Sequence, residues 1–262
     1  MSANMLGKII TFKTEEIARK KKKLPLNSLR KRLKEVDPPR SFRKSVFARK
    51  NVSIIAEIKR FSPSRGALRR DLDPFKLAKL YQENGARAIS VLLDQRFFGA
   101  RPEDLKKVRQ ASSLPILAKE FILDEYQIYE ARWRGADAIL LIVRILKGER
   151  LLHFCNLAQE LNLACIAEVH SPQEIKRLLS LPSSVIVGIN NRNLKDFQVD
   201  LSTTGQILNL LPPERLVISE SGIKDIQDIK RLREIGVSAF LVGEVLLRSE
   251  DPAEKLRELC YG

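Results

Sequence analysis

The stretch SIIAEIKRFSPSRG (53–66) decides the architecture. Its first half is a β-branched and apolar run, and its second half turns polar, so it reads as a strand that opens into a loop. Successive side chains of a strand point to opposite faces. Glu57 and Lys59 therefore share a face with Ile55 one step deeper, while Ala56 and Ile58 face the other way. Opposite charges on the inner face of a strand cost several kcal/mol each to desolvate unpaired. They are expected to pair or to meet a charged ligand, and a purely structural ion pair is the plainer alternative.

The same unit of apolar run, polar turn and charged helical stretch recurs to the end of the chain. The later runs are AISVLL (88–93), PILAKE (115–120), DAILLIV (137–143), ACIAEV (164–169), VIVGIN (185–190), RLVISE (215–220) and SAFLVG (238–243). The stretches between them carry helix punctuation. Asp73–Pro74 opens a helix that Gly85 closes, Gly135 closes DEYQIYEARWRGA, Ser171–Pro172 with Glu174 opens another, and Gly236 stops KDIQDIKRLREIG. Eight βα units in 262 residues match the roughly 250 of a closed barrel. No GxGxxG or GxxxxGK[ST] is present to favour an open nucleotide-binding sheet. The expected fold is α/β, a (β/α)8 TIM barrel (residues 51–262) with an N-terminal helical extension (residues 1–50). In that extension Leu6, Ile9, Ile10 and Ile17 give one helix a partly apolar side. A shorter helix is expected to start at Asn27 or Ser28, and the segment is expected to pack across one end of the barrel.

The formal charge is +15, but residues 1–50 hold 16 Lys or Arg against 4 Asp or Glu, so +12 of it falls there. No aromatic residue interleaves with the basic runs 19–23 and 30–34, as a stacking platform for bases would require, so no nucleic acid is expected as partner. Nothing approaches the roughly 18 apolar residues of a membrane span, and the first residues lack a signal-like apolar core. Cys155, Cys165 and Cys260 are odd in number and widely spaced, as in a reduced cytoplasmic protein. No metal is expected, because single acids flanked by lysines make a poor cation site. His153 and His170 are read as non-catalytic.

In a barrel the active site lies at the C-terminal ends of the strands. Lys119 ends the third run, Glu168 the fifth and Asn190 the sixth, with Arg192 at the rim. Glu220, Ser221 and Gly222 end the seventh run, and Gly243 and Glu244 the eighth. Gly222 and Gly243 leave backbone N–H groups open after strands seven and eight, where barrels commonly hold phosphate. Ser64–Arg65–Gly66 could add a hydroxyl and a guanidinium. Two lysines among carboxylates suit acid–base chemistry on an anionic small molecule. A lysine Schiff base with a ketose or aldehyde is the alternative left open by these residues.

The blocks IIAEIKRFSPSRG (54–66), PILAKEFILDEYQIYEARWRGADAILLIV (115–143), AEVHS (167–171), VGINNRNLKDFQVDL (187–201), ISESGI (218–223) and FLVGEVLLRSEDP (240–252) resemble the indole-3-glycerol phosphate synthase family. The resemblance runs from about residue 5 to the C-terminus. It implies a monomeric barrel whose N-terminal helices help cover the active-site mouth, and a reaction without cofactor or metal. That reaction converts the phosphorylated substrate 1-(2-carboxyphenylamino)-1-deoxyribulose 5-phosphate into indole-3-glycerol phosphate, carbon dioxide and water. By the same resemblance Lys119 is the principal general acid, and Glu168 the base or the acid–base group of dehydration. Lys59 meets the substrate carboxylate, Glu57 orients the lysines, and Asn190 holds hydroxyls. Glu220 and Ser221 line the pocket, and Ser62, Gly222, Gly243 and Glu244 form the phosphate side. Arg192 pairs with acids at the mouth. The chain departs from the family pattern at Leu93, Asp94 and Gln95, at Ala100, and at Glu120, where aspartate is common. These departures are expected to affect loop packing and rate. Other phosphate-binding barrels, such as phosphoribosylanthranilate isomerase or a Schiff-base aldolase, are the nearest alternatives, and a nucleic-acid-binding protein using the basic N-terminus is the remote one.

Overall fold

Eight strands alternate with helices from residue 53 onward: β1 (Ser53–Ile58), β2 (Ala88–Leu92), β3 (Ile116–Lys119), β4 (Ala138–Ile142), β5 (Ala164–Val169), β6 (Ile186–Asn190), β7 (Val217–Glu220) and β8 (Ala239–Val242). In this computed structural model residues 5–48, 52–63, 66–69, 71–193, 197–237 and 239–262 are described. Each strand pairs in parallel with its sequence neighbours, and β8 returns to β1 from Ser53↔Ala239 to Ala56↔Val242. All eight expected runs are strands of this closed barrel. A short ribbon follows β1, in which Phe61–Ser62 pairs with Gly66–Ala67. Ser64 and Arg65 lie outside the described residues.

Strand alternation sorts the apolar residues into two layers. Ile55, Leu117, Leu140, Ile166, Ile218 and Leu241 fill the barrel interior. Ile54, Ala56, Ile58, Ala118, Ala167 and Val187 face the surrounding helices. Glu57, Lys119, Glu168 and Glu220 thus each sit one step above an inward apolar residue, Ile55, Leu117, Ile166 and Ile218. The helix punctuation also behaves as expected. Asp73 accepts from the backbone N–H of Phe75 at 2.9 Å, and Asp124 forms a reciprocal cap with Gln127. Gly85, Gly135 and Gly236 take positive φ, where a side chain would be strained. The helix expected at Ser171 is split into a 3₁₀ turn (Pro172–Glu174) and a short α-helix (Ile175–Leu179), and Ser171 makes no cap. Instead Glu174 turns back to accept the backbone N–H of His170 at 3.1 Å.

The N-terminal segment touches both ends of the barrel rather than one. Helix α1 (Met5–Lys23) lies at the C-terminal mouth. Helix α2 (Leu26–Arg32) starts one residue before Asn27, behind Pro25 and without a side-chain cap. It runs alongside the helix Glu125–Trp133, with Arg30 over Tyr129 at 4.8 Å and Arg32 over Trp133 at 5.3 Å. Helix α3 (Phe42–Phe47) closes the opposite end. Its Phe42 and Val46 join the interior cluster, and Ser45 donates to the carbonyl of Arg87 at 2.6 Å, just before β2.

Candidate active site

The C-terminal strand ends surround a cavity of about 910 Å³. Glu57, Lys59, Ser62, Lys119, Glu168 and Asn190 line it, as do Arg192, Ser221, Gly222, Gly243 and Glu244. These are eleven of the twelve site residues that the resemblance implies. Glu220 is the exception. It does not line the cavity but lies beneath it, fully buried against Lys119. Gly188 on β6 makes this possible, since a Cβ there would collide with the Glu220 carboxylate.

Register explains the convergence. Leu92↔Lys119, Ile142↔Glu168 and Asn190↔Glu220 all sit at the last pairing positions of their strands. Lys119 Nζ is hydrogen-bonded to Glu220 and stands 3.7 Å from Glu57 Oε2 and 3.8 Å from Glu168 Oε2. Lys59 Nζ donates to Glu57 Oε1 at 2.5 Å. Glu57 therefore bridges the two lysines. Asn190 Oδ1 accepts the Arg192 backbone N–H at 3.0 Å, which fixes the amide, and Arg192 reaches Glu244 Oε2 at 3.2 Å.

The environments of these groups push them in different directions. Burial would lower the pKa of Lys119, but Glu220, Glu57 and Glu168 outweigh it and hold the ammonium firmly protonated. Burial would raise Glu57, and Lys59 and Lys119 reverse that. Glu168 is likewise drawn down against its burial by His170 and Lys119. Glu220 goes the other way: burial, reinforced by the nearby Glu168 and Glu57 charges, exceeds the pull of Lys119 and raises it. Carboxylates driven apart in this way supply an acid and a base within one site.

Several contributors were not legible beforehand. Met5, Leu6 and Ile9 of α1, with Phe98, Phe121, Leu140 and Ile142, give the β2–β4 side of the cavity an apolar wall. Lys224, Arg248 and Lys255 add cations on the β7–β8 side. Lys13 is a further surprise, a lysine with only 1% of its side chain exposed. It contacts Glu16 Oε2 at 2.9 Å, Asp94 Oδ2 at 2.9 Å and Glu120 Oε2 at 3.0 Å. Its position four residues from both Ile9 and Ile17 was the available signal. Asp94 and Glu120, expected to affect loop packing and rate, hold the Lys13 ammonium and so anchor α1 to the barrel rim. Gly222 has φ +89°, and a Cβ on it would strike Val199 and approach Leu201 at 3.2 Å. A larger residue there would have to move the Val199 and Leu201 side chains.

Among the described residues no helix is long and apolar enough to cross a membrane, and no cluster of three or more His, Cys, Asp or Glu is arranged to hold a metal.

A family model described as indole-3-glycerol phosphate synthase matches residues 6–259. Indole-3-glycerol phosphate synthase of Acetivibrio thermocellus is 42% identical over 256 residues, covering 97% of this chain and 98% of that protein. The protein of the same name from Dehalococcoides mccartyi strain CBDB1 is 44% identical over 259 residues, covering 97% and 99%. Among solved structures, thiamine phosphate pyrophosphorylase from Pyrococcus furiosus aligns with a TM-score of 0.59 at 17% identity. That alignment covers 84% of this chain and 96% of the other, and shows the shared barrel alone.

Proposed function

The chain belongs to the indole-3-glycerol phosphate synthase family, and on that premise we propose that it closes and decarboxylates 1-(2-carboxyphenylamino)-1-deoxyribulose 5-phosphate. The products are indole-3-glycerol phosphate, carbon dioxide and water. The observation that carries this reading is Lys119, held as an ammonium among Glu57, Glu168 and Glu220 on the floor of a cavity that Lys59 also enters.

Ring closure joins the aromatic carbon that bears the carboxylate to the ketone carbon, and negative charge develops on the ketone oxygen. Lys119 donates its proton to that oxygen, a preorganised stabilisation that is the usual dominant contribution to catalysis. Lys59, steadied by Glu57, meets the substrate carboxylate and directs its approach. Carbon dioxide then departs, and its bonding electrons return to the ring. The new hydroxyl leaves as water once an acid protonates it, while Glu168, kept ionised, removes the proton lost from the intermediate. Asn190 holds hydroxyls of the sugar chain. Glu220 works from below as the partner that keeps Lys119 charged. A Schiff base would instead require a neutral lysine amine, which the three carboxylates around Lys119 disfavour.

The phosphate is assigned to the β7–β8 side, with Ser62, Ser221 and the backbone N–H groups of Gly222, Gly243 and Glu244. Lys224, Arg248 and Lys255 support that side by charge. The aryl ring is assigned to the apolar wall, and α1 of the N-terminal extension covers the mouth. Anchoring both ends of the substrate spends remote binding energy on bringing the two reacting carbons together. We read the protein as a cytoplasmic monomer that binds no nucleic acid. Part of its N-terminal charge is engaged internally, as in Lys20–Glu130 at 3.0 Å and Lys21–Asp124 at 2.7 Å. Incubation of the purified protein with the carboxyphenylamino-deoxyribulose phosphate should yield indole fluorescence and carbon dioxide together. A folded sample producing neither refutes the assignment.

A further inference from the structure

His170 follows β5 and stands two residues beyond Glu168. Its side chain is 1% exposed, with Nε2 3.1 Å from Glu168 Oε1 and Nδ1 4.0 Å from Glu174 Oε2. Among the described residues neither ring nitrogen has a hydrogen-bond partner along its N–H or lone-pair direction, so these are close contacts of a ring set between two carboxylates. Buried polar atoms without partners are rare and call for a reason. The reason here lies in the two acids. Glu174 is itself fixed, since its Oε1 accepts Arg144 Nε at 2.9 Å and its Oε2 accepts the His170 backbone N–H. A chain of contacts therefore runs from Arg144 through Glu174 and His170 to Glu168, and only Glu168 among the four lines the cavity.

The groups facing Glu168 from the other strands do not balance it. Lys119 on β3 is 3.8 Å away and is shared with Glu220 of β7 and Glu57 of β1, while Lys59 is taken by Glu57. Two lysines thus serve three carboxylates. Glu168 Oε2, the oxygen on the Lys119 side, has no hydrogen-bond partner among the described residues.

We infer that His170 is a positioning residue for Glu168. It holds Oε1 and favours the ionised carboxylate, which leaves Oε2 on the Lys119 side, and Glu174 with Arg144 steers the ring. This rests on the reading of Glu168 as the base. A histidine two residues from a glutamate on an alternating strand is otherwise no more than core packing. The difference lies in the paired acids and in the buried, unpartnered ring.

The test is His170→Asn, with kcat and KM measured across pH. Loss of the imidazole weakens the preference for ionised Glu168, so the acid limb of kcat should move upward by about one unit. At neutral pH kcat should fall about tenfold through loss of orientation, with KM within about twofold. Glu174→Gln, remote from the cavity, should move the same limb in the same direction by less. A folded His170→Asn variant whose kcat profile superimposes on the parent's overturns the inference. Should that variant not fold, ring-nitrogen NMR decides, because the chain has only 2 histidines. Glu168→Gln should then shift the His170 resonances and spare those of His153, whose side chain is 60% exposed. Unmoved His170 signals overturn the inference. Glu168→Gln also separates the two levels of the argument. Retained activity would refute the base itself, whereas an inactive Glu168→Gln beside an unaltered His170→Asn refutes only the positioning role.

Discussion

Replacing Lys13 with methionine keeps the aliphatic stem and deletes a charge that three carboxylates share. Glu16, Asp94 and Glu120 all lie within 3.0 Å of Nζ, and the lysine side chain is 1% exposed. Breaking a buried ion cluster by removing one partner costs about 3–5 kcal/mol. For a domain of this size each kcal/mol moves Tm by roughly 2–4 °C, so Tm should fall by ~6–20 °C. The loss should depend on pH in a defined direction. Burial and the Asp94 charge already raise the Glu120 pKa from 4.5 to about 7 despite Lys13. A folded-state value above the unfolded one means that the contribution of Glu120 to stability is full below about 4.5 and is lost as pH rises through about 7. Without Lys13 the folded value rises further, so the gap between variant and parent should be wider near pH 8 than near pH 6. Calorimetric melts at both pH values measure this, and adding Glu120→Gln to the variant should restore much of the loss near pH 8. A Tm change under about 2 °C, or a gap wider in acid, would refute the reasoning. Because α1 also carries Met5, Leu6 and Ile9 into the cavity wall, KM should rise alongside.

Three further outcomes follow from the site. Lys119→Ala should lower kcat by roughly a hundredfold or more while circular dichroism stays native, and activity within a few-fold of the parent would show the acid to lie elsewhere. Glu220→Gln removes the nearest charge that keeps Lys119 protonated, so the alkaline limb of kcat should move to lower pH, and an unmoved limb counts against the pairing. In Gly243→Ala the methyl would stand 2.7 Å from Glu57 Oε1 and 2.9 Å from Glu57 Cβ. Glu57 must then leave Lys59, which should cut kcat about tenfold, with a stability loss of about 1–3 kcal/mol from overpacking. A kcat unchanged in steady-state assays would place Glu57 outside the chemistry.

Much of the molecule could be read along the chain. The alternation in SIIAEIK sends Ile55 and Glu57 inward and Ala56 and Ile58 outward, because strand geometry is local. The same local rule found Lys119 and Glu168, and helix punctuation found the cap at Asp73. It could not rank the acids. Glu220 looked like one more lining residue, and its descent beneath Lys119 depends on the space left by Gly188 on the adjacent strand. His170 looked inert because its significance lies in its distance to Glu168 and Glu174. Lys13 carried no separate reading among the N-terminal cations, because one of the carboxylates that meets it lies 107 residues away.

Pattern along the chain was enough for the eight βα units, for the inward register, and for the conclusion that lysines and glutamates gather at one end. Those properties arise from interactions between near neighbours, which amino-acid order records directly. Closure of the barrel settled which carboxylate each lysine holds, which acid is driven toward the protonated form, and how the first helix is pinned. Charge interactions depend on separation in space and on exclusion of water. Partners such as Lys119 and Glu220, 101 residues apart, acquire both only when the last strand meets the first.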